Sequence, residues 1–124
     1  ELNAERAKVY KPGWSLAGES AENLFMHEYG HAMNSGIQHR LARAGLDDLS
    51  NEFFDTIRKW SQEIHVSDYG ATNHSEWIAE KFTQEMIGAG ENKNLTSLMK
   101  KMLVEMRKEG IAQMTWDEFY DAYP

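Results

Sequence analysis

Two histidines one helical turn apart are the residues in this sequence best suited to bind a metal ion. The stretch that contains them reads His27, Glu28, Tyr29, Gly30 and His31. On an α-helix, positions i and i+4 lie on one face, with their Cβ atoms roughly 5–6 Å apart. Two imidazoles at this spacing can converge on one zinc ion, at about 2.0–2.1 Å from each nitrogen. The spacing therefore predicts that His27 and His31 are ligands of a single zinc ion.

Glu28 lies between these histidines and is well placed to act on a water molecule at the metal. A bound zinc ion lowers the pKa of its water from 15.7 toward about 7. A neighbouring carboxylate can then take the proton and later pass it to a leaving amine. We therefore predict that Glu28 is a catalytic base. The alternative is that His27 and His31 are ordinary surface residues of a helix, since so short a motif also arises without a metal.

A catalytic zinc site uses three protein ligands and keeps one position open. The chain has no cysteine, so the third ligand must be a histidine or a carboxylate. The candidates are His39, His65, Asp68, His74, Glu76 and Glu80. Glu76 and Glu80 are four residues apart on an apolar helix, so at least one is expected to point inward, where a buried carboxylate needs a metal or a histidine as its partner. The alternative is that Glu76 and Glu80 both face solvent on the helix surface. For His74, the simpler interpretation is a solvent-exposed residue rather than a ligand.

Gly30 lies inside the helix that carries the two histidines. A glycine there costs about 1 kcal/mol relative to alanine. It is either a tolerated glycine or a sign that another segment comes close to the helix, as a segment that delivers a third ligand would.

Apolar periodicity and capping signals predict that the chain is mainly α. Helices are predicted over residues 20–35, 48–63, 73–87, 94–108 and 115–123, with a short helical turn over 40–45, a loop over 65–72 and a short strand over 8–10. Ser20 and Asn73 are the predicted N-caps of the first and third helices, with Glu76 as a capping-box partner of Asn73. Gly36 is the predicted end of the first helix. The methionines of the fourth helix recur at helical spacing and are expected in the core.

The composition fits one globular domain over residues 1–124, because 124 residues with 41% hydrophobic side chains can form one core. The net charge of −7 with scattered Lys and Arg disfavours nucleic acid and anionic membranes as partners. We see neither a signal peptide nor a membrane-spanning segment in the sequence. The localisation stays open between a cytoplasmic protein and one delivered with a larger protein. The chain begins at Glu1 rather than Met, as a processed chain or an excised domain would.

The histidine motif, together with a stretch over residues 69–82, resembles the protease domain of anthrax lethal factor and its relatives. That stretch reads Tyr-Gly-Ala-Thr-Asn-His-Ser-Glu-Trp-Ile-Ala-Glu-Lys-Phe. The family belongs to the zincins whose third ligand is a glutamate, and similar stretches occur in proteins of phages and mobile elements. The resemblance covers about residues 20–87. It implies that Glu76 is the third zinc ligand, that the hydroxyl of Tyr69 stabilises the oxyanion, and that Glu80 hydrogen-bonds a ligating histidine. For Tyr69, a loop tyrosine that only packs its ring is the alternative.

Two departures from the family pattern are visible. Members usually have a β-sheet before the metal helix, whereas 26 residues precede His27 here, so the sheet is expected to be reduced or absent. Ile78 also replaces an aromatic residue.

The function implied is a zinc-dependent endopeptidase that holds one zinc ion and hydrolyses peptide or protein substrates through a zinc-bound water activated by Glu28. Two alternatives stay open. One is a non-catalytic, zinc-stabilised protein-interaction domain of a phage or toxin protein. The other is a metal-free helical interaction module.

Overall fold

A computed structural model describes residues 14–88 and 92–111 of the chain. Within these residues it contains a short 3-10 turn at Leu16–Gly18 and four α-helices: α1 (Ala21–Arg43), α2 (Asp47–Glu63), α3 (His74–Met86) and α4 (Asn94–Lys108). These ranges contain no strand, which confirms the mainly α class. None of the helices found there has the length and apolar content needed to cross a bilayer. The predicted strand over 8–10 and the predicted helix over 115–123 lie outside the described residues.

The first helix is longer than predicted. Its expected end at Gly36 is wrong, because α1 continues to Arg43 and takes in most of the turn predicted over 40–45. Ile37 and Leu41 are fully buried on the same face as the earlier apolar residues. Burying two such side chains contributes about 1.5–3 kcal/mol each, which outweighs the cost of about 1 kcal/mol for one glycine. The helix ends just before Gly45, whose φ of +72° is the left-handed conformation typical after a helix.

The starts of α1 and α3 agree with the predicted N-caps. The side chain of Ser20 accepts a hydrogen bond from the backbone N–H of Asn23 at 2.9 Å, and that of Asn73 accepts one from the N–H of Glu76 at 2.9 Å. Only half of the predicted capping box at Asn73 is seen, because the Glu76 carboxylate lies against two histidines instead. Capping therefore sets where α3 begins and leaves the side chain of Glu76 available to the site.

The core lies between α1 and α3, with α2 and α4 packed around this pair. Its buried apolar members include Met33, Ile37, Phe53, Ile57, Trp77, Phe82, Leu95, Met99, Met102 and Met106. The methionines of α4 are core residues, as predicted. A Cβ atom added to Gly30 would lie 3.0 Å from the Cβ of Phe82, tighter than most contacts that Cβ atoms make. Gly30 is therefore the point where α3 approaches α1, which confirms that a second segment comes close to the helix there.

A buried ion pair within α3 includes a carboxylate that also contacts the start of α4. The ammonium of Lys81 lies 2.9 Å from a carboxylate oxygen of Glu85, and both side chains are almost completely buried. The same carboxylate accepts hydrogen bonds from the backbone N–H groups of Leu95 at 3.0 Å and Thr96 at 2.7 Å. Glu85 thus caps the first turn of α4 from another helix, which holds α4 against α3.

Candidate metal centre

The close packing of α1 on α3 brings three potential metal ligands together. His27 and His31 project from α1, and Glu76 projects from the first turn of α3. Glu76 Oε1 lies 3.0 Å from His27 Nε2 and 3.1 Å from His31 Nε2. One potential ligand atom from each of the three residues lies within 4.8 Å of the other two. The three residues predicted as ligands from the sequence are therefore brought together in space.

Glu80 determines which nitrogen of His27 faces this cluster. Its Oε2 atom lies 2.7 Å from His27 Nδ1, and both side chains are completely buried. A carboxylate can only accept, so Nδ1 carries the hydrogen. In the neutral imidazole, Nε2 then presents a lone pair toward Glu76. The resemblance implies that Glu80 hydrogen-bonds a ligating histidine, and Glu80 does contact His27, one of the candidate ligands.

The arrangement needs a positive charge between its acceptors. The Nε2 lone pair of His27 and the carboxylate of Glu76 would repel each other at 3.0 Å unless a proton or a cation lay between them. Two atoms that each lie about 2.0–2.1 Å from a tetrahedral zinc ion are separated by roughly 3.3 Å. The observed separations of 3.0 and 3.1 Å are shorter than this value and are also the lengths of ordinary hydrogen bonds. Two imidazoles and one carboxylate also form a donor set that zinc takes in catalytic sites, so these residues fit the metal.

Four donors surround the carboxylate of Glu80. Ser15 Oγ donates to Oε2 at 2.8 Å, and Ser67 Oγ and the Leu16 N–H donate to Oε1 at 2.6 and 2.8 Å, in addition to His27. Burial raises the pKa of Glu80, but the hydrogen bonds from His27, Ser67, Leu16 and Ser15 outweigh it and hold the pKa below its usual value of 4.5. Glu80 is therefore an ionised carboxylate in the interior, well suited to orient an imidazole.

His31 and Glu76 form the open side of the cluster. Their side chains are 27% and 18% exposed, whereas that of His27 is fully buried. The Nδ1 atom of His31 lies 3.3 Å from the hydroxyl of Ser75, next to Glu76 on α3. Solvent and small molecules can thus reach the cluster from the side of His31 and Glu76.

Tyr69 lies directly beside the buried histidine. Its ring stacks on that of His27, with centroids 5.8 Å apart and an interplanar angle of 19°. The Trp14 ring also packs against the Tyr69 ring, with centroids 5.6 Å apart, and the Tyr69 N–H donates to the Trp14 carbonyl at 3.0 Å. The ring therefore packs, as the simpler interpretation holds, and it does so against a candidate ligand. The role of its hydroxyl in stabilising an oxyanion stays a prediction.

Glu28 is exposed on α1, next to His27 in sequence. Its side chain is accessible to water, and its role as a catalytic base stays a prediction. His74 is exposed at the first position of α3, as expected for a solvated residue. His65 and Asp68 face each other at 3.5 Å on the surface and contribute nothing to the cluster.

The residues that hold Glu80 were not predicted from the sequence. Ser15 and Leu16 belong to the 3-10 turn before α1, and Ser67 belongs to the loop between α2 and α3. Serines in irregular segments are common, and the sequence positions of Ser15 and Ser67 have no periodic relation to that of Glu80. The signal that could have pointed to them is the buried position of Glu80 itself, since a buried carboxylate needs several donors.

No family model matches this chain, and neither a curated protein nor a solved structure matches it.

Proposed function

We propose that the chain is a zinc-dependent endopeptidase of the zincin type. The observation that carries this proposal is the convergence of His27, His31 and Glu76, with His27 oriented by the buried Glu80. Three candidate ligands with an open side match the number of protein ligands in catalytic zinc sites. One zinc ion is the proposed cofactor, and a peptide or protein is the proposed substrate.

A zinc ion held by these residues would polarise the scissile carbonyl and lower the pKa of a water molecule. Glu28 takes the proton of the attacking water and returns it to the amine of the leaving group. Tyr69 stands beside His27, where its hydroxyl can donate to the carbonyl oxygen as negative charge develops on it. Glu80 keeps the hydrogen of His27 on Nδ1 throughout, so that Nε2 remains a ligand.

The decisive experiment replaces Glu28 by glutamine. Purified wild-type protein should contain about one zinc ion per chain. Glu28→Gln should retain the zinc and the circular-dichroism spectrum but lose cleavage of denatured casein. Glu22→Gln, the same change at another exposed residue of α1, is the matched control and should cleave like wild type. If Glu28→Gln cleaves casein as fast as wild type, the mechanism is wrong.

A non-catalytic zinc-stabilised interaction domain is the second candidate. It is favoured by one observation, that the ligands come from two different helices, so a metal would also join α1 to α3. A structural site of this kind closes its fourth position with a protein ligand. Glu80 is occupied by four donors and His74 is exposed, so neither is placed to do so. X-ray absorption on the zinc-loaded protein that showed four protein ligands would favour this candidate over the enzyme.

A further inference from the structure

We propose that Ser67 is a positioning residue that couples the loop carrying Tyr69 to the pair formed by His27 and Glu80. The catalytic part of this inference rests on the proposed endopeptidase function, whereas its structural part does not.

A single hydroxyl connects the loop to the buried carboxylate. Ser67 Oγ donates to Glu80 Oε1 at 2.6 Å and accepts from the Gly70 N–H at 3.0 Å. Ser67 is itself buried, so no water is expected to replace either bond without rearrangement. Because Glu80 holds His27, the chain of hydrogen bonds runs from the loop backbone to a candidate metal ligand.

Tyr69 lies in this loop between Ser67 and Gly70, the two residues that this hydrogen bond joins. Its own N–H is fixed by the carbonyl of Trp14 at 3.0 Å, and the N–H of the next residue, Gly70, is fixed by Ser67. A Cβ atom added to Gly70 would lie 3.1 Å from Ser67 Oγ and 3.3 Å from Glu80 Cβ, so the loop is already in tight contact with α3. The backbone on both sides of Tyr69 is therefore held, and Ser67 supplies the hold on the side of α3.

Ser15 provides a matched control for this role. It also donates a buried hydroxyl to Glu80, at 2.8 Å, but to the other carboxylate oxygen. Its hydroxyl additionally accepts from the Ala17 N–H, within the 3-10 turn, rather than from the Tyr69 loop. Ser15→Ala and Ser67→Ala thus each remove one hydroxyl from Glu80, while only Ser67→Ala removes the bond to the loop.

Hydrogen exchange on the zinc-free protein tests the structural part. The Gly70 amide should exchange faster in Ser67→Ala than in wild type, and its rate should be unchanged in Ser15→Ala. Equal Gly70 exchange in wild type and Ser67→Ala would overturn the inference whether or not the protein is an enzyme.

Steady-state kinetics test the catalytic part. Ser67→Ala should lower kcat roughly 10–100-fold with little change in KM, since a small displacement of a catalytic group has effects of this size. Combined with Tyr69→Phe, Ser67→Ala should lower kcat by no more than about twofold further, because both changes affect the same group. A purely structural role of Ser67 would instead reduce kcat by the same factor in both backgrounds, and that result would overturn the coupling to Tyr69. If zinc-loaded wild type cleaves nothing, the endopeptidase proposal fails, and the exchange experiment still decides whether the bridge exists.

Discussion

Glu80 is buried completely and yet ionised, and the reason is the number of donors around it. His27, Ser15, Ser67 and the Leu16 N–H together offset the cost of burial, which is why the pKa of Glu80 is lowered rather than raised. An anion fixed this way presents a strong acceptor to His27 Nδ1. This acceptor fixes the orientation of the imidazole, so that Nε2 faces Glu76.

Glu80→Gln should weaken zinc binding about 10–100-fold, the usual effect of removing a carboxylate behind a ligating histidine. The amide keeps the shape of the side chain but loses the charge, and its NH₂ group cannot accept from the surrounding donors. Competition with a chromophoric chelator measures the zinc Kd. Glu63→Gln, an exposed residue at the end of α2, is the control and should bind zinc like wild type. A Kd for Glu80→Gln equal to that of wild type would show that Glu80 does not support a metal ligand.

At this scale the sequence was informative where residues share a helix. His27 and His31 on α1, and Glu76 and Glu80 on α3, have i, i+4 spacings that fix their relative positions before any tertiary structure is known. That α1 and α3 face each other came from the resemblance and not from the spacings. Ser15 and Ser67, which are 65 and 13 residues from Glu80, were beyond prediction because irregular backbone has no period that relates one side chain to another.

The contact between α1 and α3 depends on one missing side chain. Gly30 lets Phe82 approach α1 so closely that an added Cβ would lie 3.0 Å from the Phe82 Cβ and 3.1 Å from its ring. The ring of Tyr29, next to Gly30, stacks on that of Phe82 at 6.1 Å and 9°. Because His27, His31 and Glu76 lie on these two helices, their separations are set by the same contact.

Gly30→Ala should destabilise the protein by about 1–3 kcal/mol, since the clash with Phe82 exceeds the helical gain of about 1 kcal/mol from alanine. It should also weaken zinc binding, because α1 and α3 must move apart. Urea unfolding and chelator competition measure the two effects. Gly36→Ala makes the same change further along α1, at a partly exposed position, and should not lower either quantity. If both variants behave alike, the close contact at Gly30 does not matter for stability.

The buried Glu85 carboxylate, which pairs with Lys81 and caps α4, is expected to contribute strongly to the stability of the protein. Glu85→Ala should lower the free energy of unfolding by about 3–5 kcal/mol, because the buried Lys81 ammonium loses its counter-ion and keeps only the Asn92 carbonyl as a partner. It also leaves the N–H groups of Leu95 and Thr96 without their acceptor. Glu105→Ala, which removes the surface pair with Lys108, should cost no more than about 1 kcal/mol. Chemical denaturation of both variants measures the difference, and equal losses would contradict the capping role of Glu85.

Element boundaries were predictable where a local signal decides them and not where packing does. Ser20 and Asn73 cap their helices by accepting hydrogen bonds from the N–H groups three positions later. Residue types that favour such caps can be recognised in the sequence itself. Gly36 looked like a helix end because glycine is a weak helix former. The burial of Ile37 and Leu41 against the rest of the core carried α1 past it, and burial is a property of the folded molecule.

For the whole molecule, metal binding and folding should be linked. His27, His31 and Glu76 are assembled only when α1 and α3 pack, so an unfolded chain offers no comparable site. The same linkage holds whether the protein is an endopeptidase or a zinc-stabilised interaction domain. It does not hold for a metal-free helical module.

Zinc at 100 times its Kd should therefore add about 2.7 kcal/mol to the free energy of unfolding. For a domain of this size that corresponds to a rise in Tm of roughly 10 °C. Thermal denaturation followed by circular dichroism measures the shift. His31→Ala should abolish it, whereas His39→Ala, at an exposed position of the same helix, should retain it. An unchanged Tm of the wild type on adding zinc would support the metal-free alternative.

The hydrogen bonds to Glu80 determine which residues must be included if the candidate metal centre is transferred to another protein. A fragment that starts at Ala21 would carry His27, His31, Glu76 and Glu80, yet it would lack both the Ser15 hydroxyl and the Leu16 amide. Grafting the helix pair α1 and α3 onto a foreign scaffold would likewise transfer the candidate ligands but leave the Glu80 carboxylate without the Ser15, Leu16 and Ser67 donors. A fragment that keeps these hydrogen bonds must therefore begin at Trp14 and include the loop before α3. The histidine motif alone does not indicate that these segments are needed.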